Sequence, residues 1–104
     1  SLTDSRSDLE RDFLDLIYRT NRRLPESAQR QIEDVYAMPD FFYRPNICVF
    51  CDGSVHDEPQ QRARDEAVRR QLKERGYRVI TIRYDEDLES RLAEYPEVFG
   101  TNDN

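Results

Sequence analysis

The chain has 104 residues, about the size of one domain, with 37% apolar and 37% charged side chains and a net charge of −6. Its supply of Ile, Leu, Val, Phe and Tyr is enough for a core, which excludes a disordered tail, and its length excludes a multidomain enzyme. The acidic balance argues against gripping nucleic acid by bulk charge, so any such role has to be local, metal-assisted or helped by another domain.

Ser7-Asp8-Leu9-Glu10 has capping-box spacing, and Leu9, Phe13, Leu16 and Ile17 recur at i, i+4, i+7 and i+8. This predicts an amphipathic helix to about Asn21. After a loop at Pro25, Gln29 to Tyr36 alternates polar and apolar residues, which predicts a strand. Phe41-Phe42-Tyr43, turn chemistry at Arg44-Pro45-Asn46 and the apolar run Ile47 to Cys51 predict a hairpin whose second strand is buried on both faces. Cys48 and Cys51 have C-x-x-C spacing, but in a strand they point to opposite faces, so they read as two small core residues.

With Asp57 as N-cap and Pro59 in the first turn, a helix runs to Arg75 and closes on Gly76. Tyr77 to Tyr84 is a buried strand, Asp87 to Tyr95 a short last helix, and Thr101 to Asn104 a frayed tail. The order α-β-β-β-α-β predicts an α/β fold, a mixed sheet flanked by helices, with an antiparallel hairpin and a parallel strand–helix–strand unit. Residues 1–104 read as one domain, and a start at Ser1-Leu2 without methionine suggests a piece of a larger protein. No apolar run approaches the roughly 18 residues that cross a bilayer and no signal core is present, so a cytoplasmic chain without a membrane partner is expected.

Asp40, Asp52 and the only histidine, His56, sit at the ends of two strands that must be neighbours. With Pro45 and Asn46 as the turn, Arg44 faces Ile47 and Asp40 lies across from Cys51; a shift of one residue still leaves Asp40 near the Cys51–Asp52 peptide. Opposed residues have Cβ atoms roughly 5 Å apart, and two carboxylates that close repel unless a cation or a proton intervenes. Such oxygen-rich sites suit Mg²⁺ or Mn²⁺, with Asp40 and either Asp52 or the Cys51 carbonyl as ligands. His56, with an ordinary imidazole pKa of about 6.5, could then take a proton from water. Plainer readings exist for each: Asp52-Gly53 as a turn, Asp40 as a solvated strand end, His56 as a capping residue, and Glu10 as part of the capping box. Arg62, Arg69 and Lys73 share a face of the long helix, either meeting phosphates or forming a solvated face laced by pairs such as Asp65–Arg69.

Pro39-Asp40-Phe41, Val49-Phe50-Cys51-Asp52-Gly53-Ser54-x-His56, the helix with Asp65 and Arg69, and Gly76-Tyr77-Arg78-Val79-Ile80 resemble the very-short-patch-repair-like and DUF559-like branch of the PD-(D/E)xK endonuclease superfamily. The likeness runs from Leu9 to about Leu88. It implies a restriction-endonuclease-like core and Mg²⁺-dependent hydrolysis of DNA, in repair or genome defence, with Asp40 as a metal ligand. By the same likeness Cys51 offers a backbone carbonyl, Asp52 replaces a first histidine, His56 matches a second, and Glu10 helps hold metal-bound water. The motif lysine is missing, because Gly53-Ser54 follows Asp52, and Phe50 stands where many relatives carry glutamate. A second likeness, to nuclease-like domains at the C-terminus of bacterial DEAD/DEAH-type helicases, implies a helicase domain of the same parent chain as partner. The alternative is a catalytically inactive module that keeps the fold and docks DNA or a protein.

Overall fold

The computed structural model describes residues 5–103, with residues 5–7 and 34 as backbone alone; Ser1-Leu2 and Asn104 lie outside the described residues. Helix α1 (Ser5–Arg19) buries Leu9, Phe13 and Ile17, the stripe expected from their spacing. It ends where Thr20 Oγ1 bonds the Leu16 carbonyl at 2.7 Å and Asn21 turns left-handed at φ 57°. Ser7 lies inside this helix rather than capping it, so the capping-box explanation of Glu10 does not hold.

The predicted strand over 29–36 is not formed as such. A two-residue strand β1 (Ser27–Ala28) comes first, Gln29 then takes φ 56°, and Glu33–Val35 form a 3₁₀ turn inside a bridge between Ile32 and Ala37. Alternation there serves a different end: Ile32, Val35 and Ala37 fold over the sheet as a small apolar cover.

Strands β2 (Phe41–Tyr43) and β3 (Ile47–Asp52) are antiparallel, with Phe41 opposite Val49 and Tyr43 opposite Ile47. This is one residue away from the expected pairing, because Arg44, Pro45 and Asn46 together make the turn. Pro45, with its fixed negative φ, is unsuited to the primed two-residue turns of tight hairpins. Helix α2 (Pro59–Glu74) follows a 3₁₀ turn at Ser54–Asp57, and β4 (Arg78–Arg83) pairs in parallel with β3 along its full length. Gly76 supplies the left-handed exit from α2 at φ 93°. The sheet order is β1-β2-β3-β4, so β3 is central and β4 an edge.

Asp57 is not the N-cap of α2. It accepts the Tyr84 hydroxyl at 2.8 Å and Arg83 Nη2 at 2.7 Å, which together hold its carboxyl below the ordinary range. Helix α3 (Leu88–Ala93) is shorter than expected, with Asp87 capping Ser90 N at 3.0 Å, and a separate turn α4 (Pro96–Phe99) carries buried Val98 and Phe99. The chain after it is tied back by Asp103 N donating to the Thr20 carbonyl at 3.0 Å.

The period of two sorts the core into two layers. Phe41, Tyr43, Ile47, Val49, Cys51, Ile80 and Ile82 face α1, α3 and α4, while Phe42, Cys48 and Phe50 face α2 and the apolar cover. Cys48 and Cys51 are thus free, fully buried and on opposite faces, as their spacing predicts. Burial pushes the Cys48 thiol up to about 11, and Cys51 is raised by burial first and then by the carboxylates of Asp40, Glu10 and Asp52. Neither should react with Ellman's reagent at neutral pH in the folded chain, and both should react in denaturant; labelling of the native protein would contradict this burial. No described helix is long and apolar enough to cross a membrane.

Candidate active site

The carboxyl-terminal end of β3 and the first half of α2 carry the polar groups. Asp52 is the last residue of β3 and has the parity of Cys48 and Phe50, so its side chain goes to the α2 side. It is 5% exposed. Helix α2 meets that face with the stripe Gln61, Asp65, Val68, Arg69 and Leu72, of which only Leu72 is a fully buried apolar residue. The helix therefore turns charge, not hydrocarbon, toward the strand end.

That charge is paired. Arg69 grips Asp52 with two parallel bonds, Nη1 to Oδ2 at 2.7 Å and Nη2 to Oδ1 at 2.8 Å. Its guanidinium also lies 4.3 Å from the centre of the Phe50 ring and 3.3 Å from Thr81 Oγ1, while its Nε is buried with no hydrogen-bond partner. The expected Asp65–Arg69 pair is replaced: Asp65 instead makes a short hydrogen bond to His56 Nδ1 and accepts Gln61 Nε2 at 2.9 Å. His56 reaches this position because the 3₁₀ turn after Gly53 brings its ring back over Asp52, Nδ1 standing 3.8 Å from Oδ1. A carboxylate can only accept, so the bond places a proton on Nδ1, and in the neutral form of the ring the lone pair is then on Nε2.

Asp40 closes the other side. Its Oδ2 accepts the Cys51 N–H at 2.7 Å, so the carboxylate meets the Cys51 peptide as the hairpin geometry predicts, and it does so through the amide. Gln29 Nε2 bridges Asp40 Oδ1 at 3.5 Å and Glu10 Oε1 at 3.1 Å, which draws Glu10 toward the same cluster from α1. A cavity of about 200 Å³ is lined by Asp40, Asp52, His56, Asp65 and Arg69, with Tyr36 and Met38 at its border.

Ligand atoms of Asp52, His56 and Asp65 all lie within 4.8 Å of one another, the only such group among the described residues. The carboxylates of Asp52 and Asp65 suit Mn²⁺ or Mg²⁺ by donor type, Asp40 adds a third carboxylate to the cavity wall, and the His56 Nδ1 that faces them is taken up by its bond to Asp65. A carboxylate has about four lone-pair sites, so two bonds from Arg69 leave Asp52 able to ligate. Asp40, Asp52, His56 and Glu10, the candidates from the sequence, all come to this region, and the inward roles of Asp65, Arg69, Gln61 and Gln29 are additions from the structure. For α2 the signal was present: Val68 and Leu72 fix the buried face, and 61, 65 and 69 share it by helical spacing. For Gln29 there was none.

Comparison of the chain with protein-family models, with curated proteins and with solved structures finds no match.

Proposed function

We propose that this chain is a metal-dependent endonuclease that hydrolyses phosphodiester bonds in DNA. The observation supporting it is the convergence of Asp40, Asp52, His56 and Asp65 on one cavity, with His56 held by Asp65 so that Nε2 is free to accept a proton. Asp40, Asp52 and the Cys51 carbonyl are the proposed ligands for Mg²⁺, or Mn²⁺ in its place, joined by Asp65 on the evidence of the donor cluster. When bound, the ion would lower the pKa of water and neutralise phosphate charge. His56 Nε2 takes the proton of the attacking water as its oxygen bonds phosphorus; the opposite P–O bond breaks and the leaving alkoxide is protonated from solvent. Asp65 keeps the imidazole oriented, Gln29 and Glu10 hold the Asp40 side, and Arg69 offers positive charge where the motif lysine is lacking. The setting we propose is cytoplasmic, in DNA repair or defence, with a helicase domain of the parent chain delivering the strand; tethering would raise its effective concentration to roughly millimolar.

A second reading is an inactive module that docks DNA or a protein. It is favoured by the bidentate Arg69–Asp52 pair, which uses a ligand carboxylate as a structural ion pair. Supercoiled plasmid with Mg²⁺ or Mn²⁺ separates the two. Nicking by the wild type and not by Asp40→Asn, together with a Mn²⁺-dependent rise in melting temperature that Asp40→Asn lacks, is the expected result. A wild type that neither nicks nor responds to the metal selects the inactive module.

A further inference from the structure

We infer that the groove between α2 and the β4 edge is a track for the sugar-phosphate backbone of a nucleic-acid strand, leading into the candidate active site. The inference rests on the nuclease reading for its direction, but its chemistry stands on the groove. In a chain of net charge −6, this groove of about 550 Å³ is lined by Arg69, Arg70, Lys73 and Arg91 against one acid, Glu66. Two of these four are already paired, Arg69 with Asp52 and Arg91 with Glu86 and Glu94, so the charge open to a ligand is that of Arg70 and Lys73. Arg70 and Lys73 are exposed, and among the described residues their side chains make no hydrogen bond or ion pair. Three apart on α2, they are surface neighbours about 5–6 Å from each other, close enough to meet successive phosphates.

The groove is continuous with the site. Arg69, Glu66 and Thr81 also line the adjoining concavity that contains Asp52, His56 and Asp65. A peptide strand added to β4 is the competing occupant, since β4 is a sheet edge. Arg91 opposes it: its Nη2 already bonds the Thr81 carbonyl at 2.8 Å, taking an acceptor that an added strand would need. Charge and the blocked edge together favour a polyanion.

Fluorescence anisotropy of labelled 12-mer oligodeoxynucleotides, single-stranded and duplex in separate arms, tests this in EDTA across a NaCl series, where no metal-dependent step contributes. Arg70→Ala/Lys73→Ala is expected to weaken binding about tenfold or more at low salt. For the single strand it should flatten the slope of log K against log salt by roughly 1.4, two contacts at about 0.7 each. Arg11→Ala/Arg19→Ala makes the same change in net charge outside the groove and should bind like wild type; circular dichroism checks that both variants fold. Equal loss in the two double variants, or no salt-dependent binding by wild type, overturns the track. Groove-dependent binding without metal-dependent nicking would overturn the catalytic reading and leave the track standing. Nicking with binding indifferent to Arg70 and Lys73 would do the reverse.

Discussion

Arg69→Ala is expected to lower the free energy of unfolding by about 3–5 kcal/mol, read from urea denaturation. The side chains of Arg69 and Asp52 are only 13% and 7% exposed, so removing the guanidinium strands a desolvated carboxylate against Phe50. Against a typical domain stability of about 5–15 kcal/mol, that is a large share. Arg69→Met with Asp52→Leu should recover most of the loss, because an apolar pair of similar volume leaves no unpaired charge. A loss below about 1 kcal/mol in Arg69→Ala would mean that water reaches Asp52 and that the pair is an ordinary surface bridge. The same variant bears on function: if Asp52 is a metal ligand, Mn²⁺ should stabilise Arg69→Ala more than wild type, since the ion then faces an uncompensated carboxylate.

His56→Ala is expected to reduce metal-dependent cleavage by about 10²–10⁴-fold in turnover, the range typical of losing a positioned general base. Asp65→Ala should also lower turnover, because it removes the acceptor that orients the ring, and should raise the Mn²⁺ concentration needed for half-maximal cleavage, because it removes a proposed ligand. Single-turnover cleavage of a labelled duplex reads both. Turnover by His56→Ala within a few-fold of wild type would remove the imidazole from the mechanism.

Elements whose residues bury one clear face were legible from the chain. The α1 stripe, the unbroken apolar β3, the Gly76 exit and the opposite facing of Cys48 and Cys51 all follow from a period of 3.6 or 2. What failed depended on contacts far away in sequence. Ile32, Val35 and Ala37 alternate like a strand, yet they cover Phe42 and Leu72 from a turn. Phe99 lies in a four-residue helix too short to show a period, and it is placed by edge contacts with Phe13 and Tyr43. In the site, the stripe of Arg62, Arg69 and Lys73 on α2 divides: Arg69 turns inward to Asp52, while Arg62, beside Glu66, and Lys73 remain outside. A charge on the buried stripe looks like a charge on the solvated one until its partner is known.

Strand β3 contains the uncharged segment Ile47-Cys48-Val49-Phe50-Cys51, of the kind that stacks into fibrils when exposed. Its central place between β2 and β4 withholds it from other molecules, and the two outer strands make poor templates: one has two residues, and the other begins and ends in arginine. Pro45 before the segment and Asp52 after it act as gatekeepers in the unfolded chain. Amyloid formation by this protein would therefore start from global unfolding rather than from the native surface.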